Sequence, residues 1–355
     1  MVAKMPDSLK TETGGAVRPK LYSANERLRL DPNLLIRSRT LGLLQVFGNI
    51  GVFAGLLFLA SLANSVWQGA VLYVAIGFCL HRLFFPTHDC IHYSLFPTKT
   101  ENRAFGAMLS ALLATSFDAI RDQHLEHHVD FALPEDPGAS DYFVRFRSRG
   151  ELVVFLLGPL AGITVFTKLR DYVVRPARSA EEKEGRKPEK PIDLLDQIGA
   201  YGIILCVQAG VCALLTRGFQ PSQLWRYPVF NVLPLVTIFL FLVRLRMFLE
   251  HGSLNYQVCD YFEGRRPTAR TIYASRLERI LLCGSDFNFH HEHHLYPGVP
   301  GRQLPKLHRE LAASGLDPED VRQTYFQSLA EIWRNLSKIT QAATTPNAAA
   351  PIGRI

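Results

Sequence analysis

The sequence is poor in the features on which much familiar protein chemistry depends. It has only six cysteines in 355 residues. No two of them form a CxxC pair, so no zinc or iron–sulfur ligand set can be read from them. Four of the six lie in or beside apolar blocks, where a free cysteine behaves as a small hydrophobe. No GxGxxG stands between a strand and a helix, and no haem-binding domain is visible, so any electrons must come from elsewhere. The zinc protease pattern HExxH is missing, because Glu292 is followed by His293, His294 and Leu295. No secretory leader opens the chain: residues 1–40 are polar and carry Arg18, Lys20, Arg27, Arg29, Arg37 and Arg39 among other cations, as a cytoplasmic arm would. Repeats and inverted symmetry between the halves are absent, which counts against a transporter. The net charge is +7, but no basic helix or aromatic–basic face accompanies it, so nucleic acid is not indicated. Beside long apolar blocks, such an excess marks cytoplasmic loops and contact with anionic membrane lipid.

The apolar residues are gathered into blocks. About 20 apolar residues cross a bilayer, and residues 41–67, 70–85, 198–215 and 229–243 read as four membrane spans. The short break at 64–69 makes the first two a tight hairpin. Residues 104–117 and 152–166 are too short to span and read as interfacial or re-entrant helices, the second weakened at Gly158-Pro159. Residues 168–193 form a dense charged loop, and the Ala/Thr/Pro-rich residues 341–355 read as a disordered tail. The expected fold is therefore an all-α integral membrane protein with four transmembrane helices. Residues 41–340 make a single domain, and both termini are cytoplasmic.

Histidine is the residue the sequence spends unusually. Of twelve in the chain, eleven fall at the cytoplasmic end of a span or in the cytoplasmic segments, with His81 at the boundary. His88 and His92 stand at i, i+4. His124, His127 and His128 stand at i, i+3, i+4, and His290, His293 and His294 repeat that triplet. On a helix each group projects from one face. His251 follows the fourth span and completes a set of nine. Neutral imidazole is the commonest protein metal ligand, and one transition metal rarely takes more than six ligands. Nine imidazoles at one membrane surface therefore point to two metals. A structural zinc site would be closed with four ligands, whereas imidazole also suits iron, which can activate dioxygen.

These three boxes, in this order around two hairpins, resemble the membrane fatty acid desaturase superfamily. The stretch NFHHEHHLYPGVPGRQLPKLH, Asn288 to His308, is similar to bacterial members in particular. The resemblance covers residues 41–311. It implies a helical cytoplasmic cap over four spans, a non-haem di-iron centre within that cap, and a bacterial inner-membrane setting. It further implies His88, His92, His124, His127, His128, His290, His293 and His294 as box ligands to two iron ions, with His251 as an additional ligand. Some relatives have an asparagine one helical turn before that histidine, acting through water; here the position is Met247.

Removing hydrogen from an unactivated CH2 is beyond any side chain, so the oxidant comes from metal and O2. The substrate implied is a fatty acid or an acyl thioester or lipid, and desaturation is the leading reaction. Decarboxylation to a terminal alkene, and lipid or carotenoid hydroxylation or ketolation, use the same ligands and stay open. A metal-binding transporter or sensor is the alternative of another class, and it would place ligands within the spans. A separate ferredoxin, rubredoxin or cytochrome-type donor must supply electrons, and the basic face suits an acidic one.

Metal-bound histidine usually gives its second N–H to an acceptor. Asp89, Glu126, Glu250, Asp286 and Glu292 are the candidates near the ligands, with Asp130 and Asp136 also close in sequence. His291 points off the ligand face and reads as a polar neighbour of the site. His308 reads as a surface residue, His81 as satisfying a helix end near the interface, and Arg244 and Arg246 as plain cytoplasmic flanks of the fourth span.

Overall fold

A long apolar run has one stable form within a bilayer, the helix, because each backbone N–H must find a partner inside its own segment. The computed structural model describes residues 30–131, 136–142, 144, 146, 148–166, 194–251, 269–314 and 322–344. No strand occurs among the described residues; Thr271 and Phe289 form an isolated bridge. The helices are α1 (Arg39–Leu62), α2 (Val66–Ile91), α3 (Lys99–Leu112), α4 (Phe117–Asp130), α5 (Arg149–Leu157) and α6 (Leu194–Thr216). They continue with α7 (Pro221–His251), α8 (Arg276–Leu282), α9 (His290–Leu295), α10 (Leu304–Ala313) and α11 (Tyr325–Thr344). By length and composition α1, α2, α6 and α7 are each long and apolar enough to cross a membrane.

Two spans run further than their apolar patterns. Helix α2 begins at Val66 because Ser65 accepts the Gln68 N–H at 3.3 Å and caps it. It continues past Pro86 to Ile91, instead of ending at residue 85. The proline removes one backbone bond, but Thr87 Oγ1 donates to the Leu83 carbonyl at 2.8 Å beside the gap. Helix α7 covers 31 residues where the apolar pattern marks 229–243. Its last turns are amphipathic because Arg246, Phe248, Leu249, Glu250 and His251 are buried in protein. Its π-helical stretches Pro228–Val232 and Leu235–Phe239 follow Pro228 and Pro234, whose rings interrupt the regular ladder.

The segment read at 104–117 is the junction of two helices. α3 and α4 meet at a bend of 99°. Ala114 sits at φ +54° and Ser116 caps α4 by accepting the Ala119 N–H. Phe117 folds back on Gly106, where an added Cβ would lie 2.2 Å from its ring. α3 packs between α2 and α6, so its last carbonyls end among apolar side chains, where an unpaired carbonyl is costly. Gln208 of α6 donates to Ala111 O at 2.7 Å and to Leu112 O at 3.3 Å. Tyr227 Oη and Asn231 Nδ2 donate to Gln208 Oε1 at 2.9 and 2.8 Å. At the far end of the bundle Arg226 donates to Ala60 O and Ala63 O, closing the C-terminus of α1.

Residues 152–166 are broken rather than continuous. α5 gives way to a 3-10 turn, Gly158–Ala161, that ends at Gly162 with φ +73°. Val153, Val154, Leu157, Leu160, Ile163 and Phe166 of this segment are exposed, and its 3-10 turn packs on the second π stretch of α7. A second core, with Leu152, Phe248, Ile272, Tyr325 and Ile332, joins α5, α7 and α11. α11 reaches Thr344, so residues 341–344 are helical, not tail. The arm at 1–29, the charged loop at 168–193 and residues 345–355 lie outside the described residues.

Candidate metal centre

The extended ends of α2 and α7 carry His88 and His251 beyond the apolar runs, with His92 capping α2. α4 brings His124, His127 and His128, and the six-residue α9 brings His290, His293 and His294. All nine histidines converge, in two groups. His88, His92, His124, His128 and His293 form one; His127, His251, His290 and His294 form the other.

Within each group the Nε2 atoms face one another. In the first, His124–His92 is 2.8 Å, His128–His124 is 3.0 Å and His293–His128 is 3.1 Å. In the second, His290–His251 is 3.0 Å, His127–His251 is 3.1 Å, and His294 lies 3.2 Å from both His251 and His290. A metal bound at about 2.1 Å in an octahedron would set neighbouring ligand atoms about 3 Å apart. Sequence neighbours divide between the groups: His127 and His128 have ring centroids 5.8 Å apart, and so do His293 and His294.

The hydrogen bonds on the outer nitrogens test whether a cation fits. His251 Nδ1 lies 3.1 Å from the Met247 carbonyl, which can only accept, so the proton sits on Nδ1. His127 Nδ1 lies 2.8 and 2.9 Å from the two oxygens of Asp136, and carries its proton for the same reason. Their Nε2 atoms are then two bare lone pairs at 3.1 Å. Such lone pairs repel without a shared cation and are satisfied by one.

Burial pushes the imidazoles of His124, His128, His290, His293 and His294 well below the usual histidine range, and their neighbours add to the effect. His92 is pushed down to about 3, first by burial and then by Arg121 and His127. Neutral imidazole is the form that binds metal.

The carboxylates sort differently from their order in sequence. Asp136, not one of the five foremost candidates, meets His127. Asp89 instead accepts from Ser94 Oγ and the Gly301 N–H, tying α2 to the turn before α10. Asp286 pairs with Arg279. Glu126 is half-buried on α4. Glu250 lies 3.4 Å from His290 Nδ1 and is held by Arg246 at 2.7 and 2.9 Å and by the Tyr325 hydroxyl. Glu292 accepts from Thr271 Oγ1 at 2.7 Å and from His308 Nδ1 at 2.6 Å.

Four plain readings are therefore corrected. His308 is no bare surface residue, because Glu292 and Tyr273 hold both its nitrogens. Arg246 is buried, donates to Phe287 O and lies over the Phe85 ring. Arg244 joins Asp141 at 3.0 Å and Phe155 O at 3.1 Å. His81 is fully buried inside α2 against Phe85, far from either helix end. His291 lies outside both groups, with Nδ1 3.1 Å from Ala269 O. Sequence distance alone did not single out Asp136, because its meeting with His127 is fixed only in the folded chain.

The sequence profile of the fatty acid desaturase family matches residues 65–327. A fatty acid desaturase of Bacillus subtilis (strain 168) is 25% identical over 319 residues, covering 82% of this chain and 82% of its own length.

Proposed function

Since the chain belongs to the fatty acid desaturase family, we propose that it is a membrane di-iron oxidoreductase that inserts a C=C bond into a fatty acyl chain with O2 as co-substrate. The observation that carries this reading is the pair of imidazole groups with their lone pairs turned inward. Two bound irons would supply the oxidant for a C–H bond that no side chain attacks. His88, His92, His124, His128 and His293 hold one, and His127, His251, His290 and His294 hold the other. Asp136 orients His127, and the Arg246–Glu250–Tyr325 cluster places a carboxylate 3.4 Å from His290 Nδ1. Phe84 and Phe287 pack on His88 with ring centroids 5.9 and 4.4 Å away and keep water from that face.

The cap and both termini lie on the cytoplasmic side in this reading, following the cationic residues 1–40 and 168–193. A separate small redox protein supplies the electrons. The test is to feed expressing cells a deuterium-labelled saturated fatty acid and analyse the lipids by mass spectrometry. An internal double bond at unchanged chain length is expected. A terminal alkene one carbon shorter, or an alcohol, would overturn desaturation while keeping the metal chemistry.

A further inference from the structure

The two histidine groups differ in what stands behind them. In the four-histidine group His127 Nδ1 bonds to Asp136, while Glu250 lies 3.4 Å from His290 Nδ1 without a hydrogen bond, and among the described residues the outer nitrogens of His290 and His294 have no hydrogen-bond partner. Among the described residues no carboxylate contacts any of the five histidines of the other group, and the outer nitrogens of His88 and His293 have no hydrogen-bond partner. The contact at His127 is also built. Asp136 is buried and accepts from His127 Nδ1 with both oxygens, from the Gly138 N–H at 2.6 Å and from the Tyr142 hydroxyl. A Cβ at Gly138 would lie 2.8 Å from Met247 Cε, 3.2 Å from Asp136 Oδ1 and 3.3 Å from His127 Nδ1. A side chain there would push the end of Met247 aside and crowd the Asp136–His127 pair, so the turn closes tightly on it.

We propose that Asp136 is a positioning residue specific to the four-histidine group, holding His127 with its proton on Nδ1 and its Nε2 aimed at the metal. This rests on the reading of both groups as metal sites. A carboxylate behind a ligating imidazole fixes its tautomer and raises its basicity, and losing such a partner typically weakens metal binding about 10–100-fold. Asp136 thus acts on one metal of the pair and leaves the other alone.

The test uses full-length protein in detergent, loaded with iron-57, comparing wild type with Asp136→Asn and Tyr142→Phe. Release of iron to a chelator and the Mössbauer spectrum are read together. In Asp136→Asn one iron is expected to be held about 10–100-fold more weakly, with one of two spectral components shifted and the other unchanged. Tyr142→Phe keeps the carboxylate and should move the same component by less. Metal-free wild type and Asp136→Asn should melt alike; a clearly lower melting temperature for the variant assigns Asp136 a general structural role and overturns the proposal. Parallel weakening of both irons, or no change in either, also overturns it. Wild type that takes up no iron overturns the functional reading and this inference with it, so the two failures are distinguishable.

Discussion

At the scale of single residues, the site divides into groups that aim at a metal and groups that hold the aim. His127→Ala or His293→Ala removes one ligand from the four- or the five-histidine group respectively, and is expected to reduce labelled product to background, with bound iron falling in parallel. Wild-type turnover in either variant would undo the assignment. Arg246 belongs to the second kind. Its guanidinium meets both oxygens of buried Glu250, so Arg246→Leu leaves that carboxylate unpaired beside His290. Breaking a buried pair from one side costs about 3–5 kcal/mol, which should appear as a lower melting temperature of the purified protein. Replacing both partners with apolar residues should restore part of it, since the penalty lies in the stranded charge.

Among the elements, the bent pair α3–α4 decides where the second histidine box arrives. Gln208 satisfies the end of α3 inside the bundle, and Gln208→Leu strands the Ala111 carbonyl along with donors on Tyr227 and Asn231. The expected cost is about 1–3 kcal/mol for each group left unpaired, read by thermal unfolding. Gly106→Val should also destabilise, because Phe117 already fills the space of its side chain. The four spans were legible in the sequence because uncharged apolar runs of that length have few other uses. Their true ends were not: Pro86 and the charged residues near 246–250 look like stops, yet Thr87 and the Arg246–Glu250 pair let both helices continue. The eight box histidines were legible because helical spacing places each box on one face, and His251 only because it ends the fourth apolar run. Asp136, Gln208 and the Glu292–His308 contact were not, because each depends on a partner 9, 97 or 16 residues away whose approach only the folded chain fixes.

For the molecule as a whole, metal and stability are coupled through protons. His92, His124, His128, His290, His293 and His294 are all held below the usual histidine range by burial. Stripped of metal, the folded protein leaves them neutral while the unfolded chain protonates them below about pH 6.5. The unfolded state then binds more protons, so stability falls as the pH drops from there towards 3, by up to about 1.4 kcal/mol per pH unit for each such site. Chelator-treated protein should therefore unfold much more readily on the acid side of about pH 6.5, whereas metal-loaded protein should change little until the metal leaves. Equal acid sensitivity of the two forms would contradict this. The division of neighbouring histidines has a further consequence. His127 and His128 on α4, and His293 and His294 on α9, each hold one ring in either group at the same 5.8 Å. Two unconnected helices thus serve as matched rulers between the groups, and the gauge they set is covalent. A rotation of either helix would move a ligand in each group at once, so neither group can shift on that helix without the other.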